Sequence, residues 1–318
     1  MLKKTFYSFF IVLTTITVQA QQDPQFSQYM FNNLYLTPAY AGVDGVTQFA
    51  GFYRSQWLGY QSSFGDGGAP TTGMISFNTP IFKLRSGAGF YILQDKLGPQ
   101  TNSQFQVSYA YHLGIKESKL SFGVQVGTYA QTLDFDMYRA INPDDKLLGD
   151  GQKGKTSQVR PDVSLGIFYR SEKYYFGVGM NHIVRSEFDF GVSQRSALQN
   201  QVNVTGGFFY EVNFDLKLNP TVLVKTDLKQ YSFDLGVIAT LKDQMWGGIS
   251  FRQGGDAILL LGYAFMKDKS LKLGYSLDYV LKDQKAKAAT SHELMLSYQL
   301  PVNPGSGKKV VRTPRYRH

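Results

Sequence analysis

The 318-residue chain has no cysteine and only four histidines, and 18% of its residues are charged. Without cysteine there is no disulfide framework, thiolate zinc site, iron-sulfur cluster or lipidated N-terminal cysteine. The histidines, His112, His182, His292 and His318, show no zinc-helix spacing, and none adjoins a nucleophile-elbow sequence. Long apolar runs are also missing. No stretch after the first 20 residues approaches the roughly 20 apolar residues of a spanning helix, which excludes a helical membrane bundle. What is abundant is Tyr (21), Phe (24) and Gly (32), a mixture suited to strands with one apolar face.

The start reads Met1-Leu2-Lys3-Lys4, then an apolar run from Phe6 to Val18, then Val18-Gln19-Ala20. Basic start, short apolar stretch and small-residue end are the marks of a secretory leader cut after Ala20. The exported remainder either is soluble outside the cytoplasm or spans a membrane as a β-barrel.

Period-two alternation decides between these. Leu271, Leu273, Tyr275, Leu277, Tyr279 and Leu281 share one face, and Lys272, Gly274, Ser276, Asp278 and Lys282 the other. Residues 104–115 and 290–300 repeat the pattern. Alternating runs predict strands at 46–57, 71–79, 86–95, 102–116, 118–133, 159–171, 173–184, 200–213, 215–228, 231–241, 244–253, 256–266, 270–281 and 290–300. Their length suits tilted membrane strands of roughly 9 to 11 residues. Long and short connections mostly alternate, as they do between the two ends of an outer-membrane barrel. The fold expected is all-β: a transmembrane antiparallel β-barrel of about 14 strands in the outer membrane of a Gram-negative cell, both termini periplasmic. The divisions expected are a signal peptide (1–20), a periplasmic N-terminal segment (21–45), the barrel (46–300) and a basic periplasmic tail (301–318).

Catalytic and metal motifs have plain alternatives. Ser291 and His292 are adjacent in a strand and therefore face opposite ways. The stretch from Asn142 to Gly151 is acidic but lacks the alternating ligands of a calcium loop. Gly65-Asp66-Gly67-Gly68 is loop punctuation, because no helix follows to cradle a phosphate. No cofactor and no catalytic residue is assigned.

Residues 21–42, QQDPQFSQYMFNNLYLTPAYAG, precede the first strand and are polar, aromatic and twice interrupted by proline. Composition leaves three placements open: a plug, a short helix in the barrel mouth, or a periplasmic docking segment. This stretch, continued by Tyr53-Arg54-Ser55-Gln56-Trp57 and by a final His292-Glu293-Leu294 strand, resembles the PorP/SprF family of outer-membrane proteins of the type IX secretion system. The matching positions are Asp23, Pro24, Phe26, Ser27, Gln28, Tyr29, Pro38, Ala39, Tyr40, Gly42, Arg54, Gln56 and Trp57; Thr37 stands where Asn is more usual. The alternation places Arg54 and Gln56 on the lumen side, Arg54 ready to meet a carboxylate or the N-terminal segment. Trp57 is expected at the outer interfacial belt.

The resemblance implies a non-enzymatic partner in secretion or surface attachment of a large adhesin or gliding protein bearing a type B C-terminal signal domain. It also implies contact with other secretion components and a periplasmic peptidoglycan-binding protein, besides outer-membrane lipid. Rival readings are a passive porin, from the polar strand faces, and a lipid hydrolase, from the scattered His and Ser. The formal charge of +9 suggests no nucleic-acid partner, since the chain is exported and lacks a binding module. Two of the nine charges leave with Lys3 and Lys4. Five sit in the tail as Lys308, Lys309, Arg312, Arg315 and Arg317, a candidate dock for an acidic envelope partner.

Overall fold

The computed structural model describes residues 23–60, 68–138, 153–191, 196–282 and 288–300. Its strands are β1 (Thr47–Ser55), β2 (Thr71–Ile81), β3 (Ser86–Leu97), β4 (Gln100–Ile115), β5 (Ser118–Asp134), β6 (Lys155–Arg170), β7 (Tyr174–Asn181), β8 (Glu187–Phe188), β9 (Ser196–Ala197), β10 (Gln201–Phe208), β11 (Tyr210–Glu211), β12 (Leu216–Thr226), β13 (Tyr231–Leu241), β14 (Met245–Arg252), β15 (Asp256–Phe265), β16 (Leu271–Val280) and β17 (Thr290–Leu300).

Fourteen of them close into one antiparallel barrel. Neighbours in sequence pair around the ring, β7 pairs with β10 and β10 with β12, and β1 closes on β17 with Arg54 opposite Glu293. Closure removes the free edges, so backbone N–H and C=O groups of the wall are satisfied without water. The three remaining strands are two residues long: β8 and β9 pair with each other, and β11 adds to β12. Among the described residues no helix is long and apolar enough to cross a membrane.

The predicted faces hold. On β4, Phe105, Val107, Tyr109, Tyr111, Leu113 and Ile115 are exposed on the outer surface, while Gln104, Gln106, Ser108 and His112 are buried inward. Connections sort into two ends. Among the described residues, 56–60, 68–70, 135–138, 153–154, 182–191, 196–200, 281–282 and 288–289 lie at the loop end, with shorter links elsewhere; at the turn end most links are short. Lys242 and Asp243, both at φ 53°, make one of the tight turns, with the left-handed backbone that matches strand twist in hairpins. The wall is uneven: β4, β5 and β6 have 16, 17 and 16 residues, whereas β7, β10 and β14 have 8.

Some boundaries differ from those read in the sequence. Strand β1 stops at Ser55, so Gln56 and Trp57 belong to the following loop. Gln56 N–H bonds the Pro70 carbonyl at 2.8 Å, and Trp57 turns at φ 52° with its N–H on Ser291 Oγ at 3.0 Å. Alternation therefore does not carry to Gln56, and the Trp57 ring packs near Tyr60, 6.2 Å between centroids. The run 200–213 is broken at Phe209, and β6 begins four residues earlier than its alternation suggests.

Candidate functional site

Residues 23–43 lie inside the barrel. Phe26, Ser27, Gln28, Tyr29, Leu34, Tyr35, Leu36, Thr37, Ala39 and Ala41 are all buried. The segment is compact without long helix: 3-10 turns at Tyr29–Phe31 and Pro38–Tyr40 flank one α-turn at Asn33–Leu36. Pro38 at the start of the second turn has no N–H to lose there. Phe26, Tyr29, Met30, Tyr35 and Leu36 pack against inward residues such as Phe52, Met74, Tyr91, Leu223 and Met295. The Phe26 ring meets Tyr35 edge-on at 5.4 Å. Each buried aromatic or Leu contributes about 1.5–3 kcal/mol.

The path through the lumen has a direction. Asp23, Pro24 and Gln25 touch His182, which directly follows β7, and Lys225 and Ser232 on β12 and β13, all at the loop end. Tyr29 reaches Thr221 midway, at 2.8 Å. Gly42 and Val43 touch Asn78 and Lys119 at the turn end, at 2.6 and 2.8 Å, from where β1 starts. The segment thus runs from the loop end to the turn end.

One of its anchors is ionic. Arg54 Nη2 is 2.7 Å from Asp278 Oδ2 and Nη1 is 3.3 Å from Glu293 Oε2. Glu293 accepts the backbone N–H groups of Ser27 (2.7 Å) and Gln28 (3.0 Å), and Ser27 Oγ donates to Asp278 at 2.6 Å. Arg252 joins from β14, 3.0 Å from Asp234 and 3.4 Å from Asp278. Removing one member of such a buried set leaves uncompensated charge, which is why these groups hold position strongly.

A second anchor lies nearer the loop end. His182 sits between Asp23 and Asp162, its two ring nitrogens each 3.0 Å from a carboxylate oxygen. Both His182 and Asp23 lie outside the spanning strands. Burial alone would lower the His182 pKa, but the carboxylates of Asp23 and Asp162 push it up to about 10. Burial likewise acts to raise Asp23, and the facing imidazolium outweighs it and holds the carboxyl below its ordinary value. Above this pair Tyr129, Phe135, Phe188, Phe190 and Leu198 form an aromatic cap, with the Tyr129 ring 5.4 Å from His182.

The fit is made possible by glycines on the inward faces of the strands. A Cβ on Gly179 would stand 2.1 Å from the Leu36 carbonyl oxygen, one on Gly123 2.2 Å from Ala39 N, and one on Gly87 2.2 Å from Ala41 O. The segment's backbone lies against the wall where those side chains are missing.

The structure therefore brings Asp23, Pro24, Phe26, Ser27, Gln28, Tyr29, Pro38, Tyr40, Gly42 and Arg54 into one buried interface, and leaves Gln56 and Trp57 outside it. Sequence reasoning missed His182, Asp162, Lys225, Arg252 and Asp234. The signal present was charge on strand faces otherwise rich in Ser, Gln and Gly. His292 turns outward to the Tyr275 hydroxyl at 2.7 Å while Ser291 is buried inward, so these neighbours diverge as alternation requires. The tail cations Lys308, Lys309, Arg312, Arg315 and Arg317, and the acidic stretch 142–151, lie outside the described residues.

A family model described as type IX secretion system membrane protein PorP/SprF matches residues 18–298. No curated protein matches the chain. Among solved structures, the toluene transporter TbuX of Ralstonia pickettii is similar at a TM-score of 0.51 and 12% identity, covering 85% of this chain and 93% of that one. Omp33 of Acinetobacter baumannii gives 0.46 and 8%, covering 80% and 99%. At such identity the likeness to TbuX shows the fold alone, that of an outer-membrane barrel.

Proposed function

The chain belongs to the PorP/SprF family of type IX secretion system membrane proteins, and from that premise we propose that it is a closed outer-membrane scaffold that works without catalysis. Its role in this reading is to support secretion or surface attachment of one large cell-surface protein, an adhesin or gliding protein with a type B C-terminal signal domain. The observation that carries the reading is the filled lumen. Residues 23–43 fill it, held at Ser27 and Gln28 by Arg54, Asp278 and Glu293, beneath an aromatic cap. A barrel packed in this way offers surfaces, not a passage.

Short turns face the periplasm and longer loops the outside in barrels of this kind. The loop end, with the tall β4–β6 wall beside it, is then the surface for cargo. The turn end and the basic tail face the other secretion components and a periplasmic peptidoglycan-binding partner.

Affinity purification in mild detergent should recover one surface protein together with secretion components, and deletion should abolish display of that surface protein. Steady conductance in planar bilayers, with every surface protein still displayed on deletion, would overturn this reading in favour of a porin.

A further inference from the structure

Strand register orders the lipid-facing surface of β2 to β6 into rows. Toward the loop end one row runs Thr71, Lys96, Thr101, Thr132 and Ser157, and the next carries Gly73, Gln94 and Ser103. The row below these is apolar: Ile75, Ile92 and Phe105, all exposed. On β4 the outward apolar residues run from Ile115 to Phe105. At about 3.3 Å per residue and a tilt of about 40°, that stretch is about 25 Å tall, the height of the apolar band of such barrels. The hydroxyl-rich rows with Lys96 thus sit just beyond the hydrocarbon, at headgroup depth.

The surface there is hollow. A concavity of about 600 Å³ is lined by Thr71, Gln94, Lys96, Ser103, Thr132 and Lys155, among others. A second, of about 560 Å³, is lined by Gly51, Ile75, Ile92, Leu294 and Leu296, and it shares Tyr53, Gly73 and Gln94 with the first. A polar basin is therefore continuous with an apolar trough. The trough exists because Gly51 and Gly73 lack side chains on a face otherwise built of large residues. A Cβ on Gly73 would meet nothing within 4 Å, so internal packing does not demand glycine there.

The charges are also graded. Asp134 lines the basin but has Lys155 Nζ at 3.5 Å. Lys96 has no ion-pair partner among the described residues. Thr132 Oγ donates to Ser157 at 2.9 Å, leaving the Thr132 oxygen able to accept as well.

We propose that this is a binding site for a phosphorylated glycolipid of the outer leaflet. A headgroup phosphate meets Lys96, sugar hydroxyls meet Thr101, Ser103 and Thr132, and an acyl chain lies in the trough over Gly73 and Gly51. A cation with clustered hydroxyls suits a phosphosugar, and the adjoining trough at hydrocarbon depth suits its chain; a soluble partner would have no use for the trough. The site rests on the reading that the loop end faces outward.

The test is native mass spectrometry of the purified full-length barrel titrated with diphosphoryl lipid A, with dephosphorylated lipid A and phosphatidylethanolamine as comparison arms. Lipid A should bind the wild type at least about tenfold more tightly than either comparison lipid. Lys96→Ala with Thr101→Val and Thr132→Val should lose about tenfold, and Gly51→Leu, at a position that lines the trough but not the basin, should lose a similar amount while leaving the basin intact. Folding of each variant is checked by heat-modifiable gel migration, and the phosphate dependence on the wild type needs no variant. Equal binding of the three lipids, or folded variants that keep wild-type affinity, would overturn the site. Surface display of the cargo, measured in the same variants, tests the secretion role separately.

Discussion

Arg54 on the first strand and Glu293 on the last are register partners at the seam where the barrel closes, and both reach Ser27 of the segment that fills the lumen. One buried contact set therefore fastens the ends of the wall and the filling together. Arg54→Leu should loosen both, leaving the Glu293 carboxylate without its guanidinium. The cost expected for breaking such a buried pair is about 3–5 kcal/mol. It should appear as a lower heat-modification temperature on gels and as conductance bursts in planar bilayers. Glu293→Gln keeps the shape but replaces two carboxylate acceptors with one carbonyl, so its loss should be smaller, about 1.5–3 kcal/mol for one charged hydrogen bond.

The inward glycines give an independent handle on the filling. Gly179→Leu and Gly123→Val would drive side chains into the backbone at Leu36 and Ala39, where the clearance for even a Cβ is 2.1 and 2.2 Å. Overpacking costs about 1–3 kcal/mol when neighbours can move, and here the neighbour is main chain wedged in the lumen. Both variants should show the conductance of a partly displaced filling. Gly114→Ala, whose Cβ would meet nothing within 4 Å, should behave as wild type. Equal, silent behaviour of all three would mean that residues 23–43 do not hold this place.

The barrel was legible because alternation is a local property: most of the fourteen strands announce their two faces within about ten residues, 256–266 being apolar on both and 71–79 ambiguous, and the length of the connections mostly sorts the two ends. The inward face of Arg54 followed from the same rule. The rule failed at Gln56 and Trp57, since nothing local marks where a partner strand ends. The location of residues 23–43 was not legible, because it depends on pairs as distant as Ser27 with Glu293 and Asp23 with His182. Gly87, Gly123 and Gly179 read only as small residues on a polar face until the chain lying against them is seen.

The Asp23–His182–Asp162 contact predicts how the filling responds to pH. His182 has a folded pKa of about 10, above its ordinary 6.5, so its stabilising contribution is complete below about 6.5 and is lost as pH rises through about 10. Asp23 is shifted the other way, below 3.8, so its contribution is complete above 3.8 and is lost only as pH falls through its lower folded value. The anchor should be intact through neutral pH and weaken in alkali. Bilayer conductance measured from pH 7 to 11 should rise near pH 10 in the wild type. In His182→Gln the rise should vanish, with some conductance already present at pH 7. A wild type that stays silent to pH 11 would show that this anchor does not control the lumen.

The direction of the filling makes the last prediction. Asp23 lies at the loop end beside His182 and Lys225, whereas Gly42 and Val43 lie at the turn end beside Asn78 and Lys119. Chain preceding Asp23 is therefore expected at the loop end, the opposite end from the start of β1. If long loops face outward, a leader cut after Ala20 leaves an N-terminus on the cell-surface side, although the first strand begins on the periplasmic side. The absence of native cysteine makes this simple to test. A Gly-Ser-Cys extension placed between Ala20 and Gln21 should react with an impermeant maleimide on intact cells, as should Leu58→Cys at the loop end. Glu117→Cys, in a turn at the other end, should react only after permeabilisation. An extension that follows Glu117→Cys instead of Leu58→Cys would reverse the direction of the segment, and with it the idea that the lumen is filled from the loop end downward.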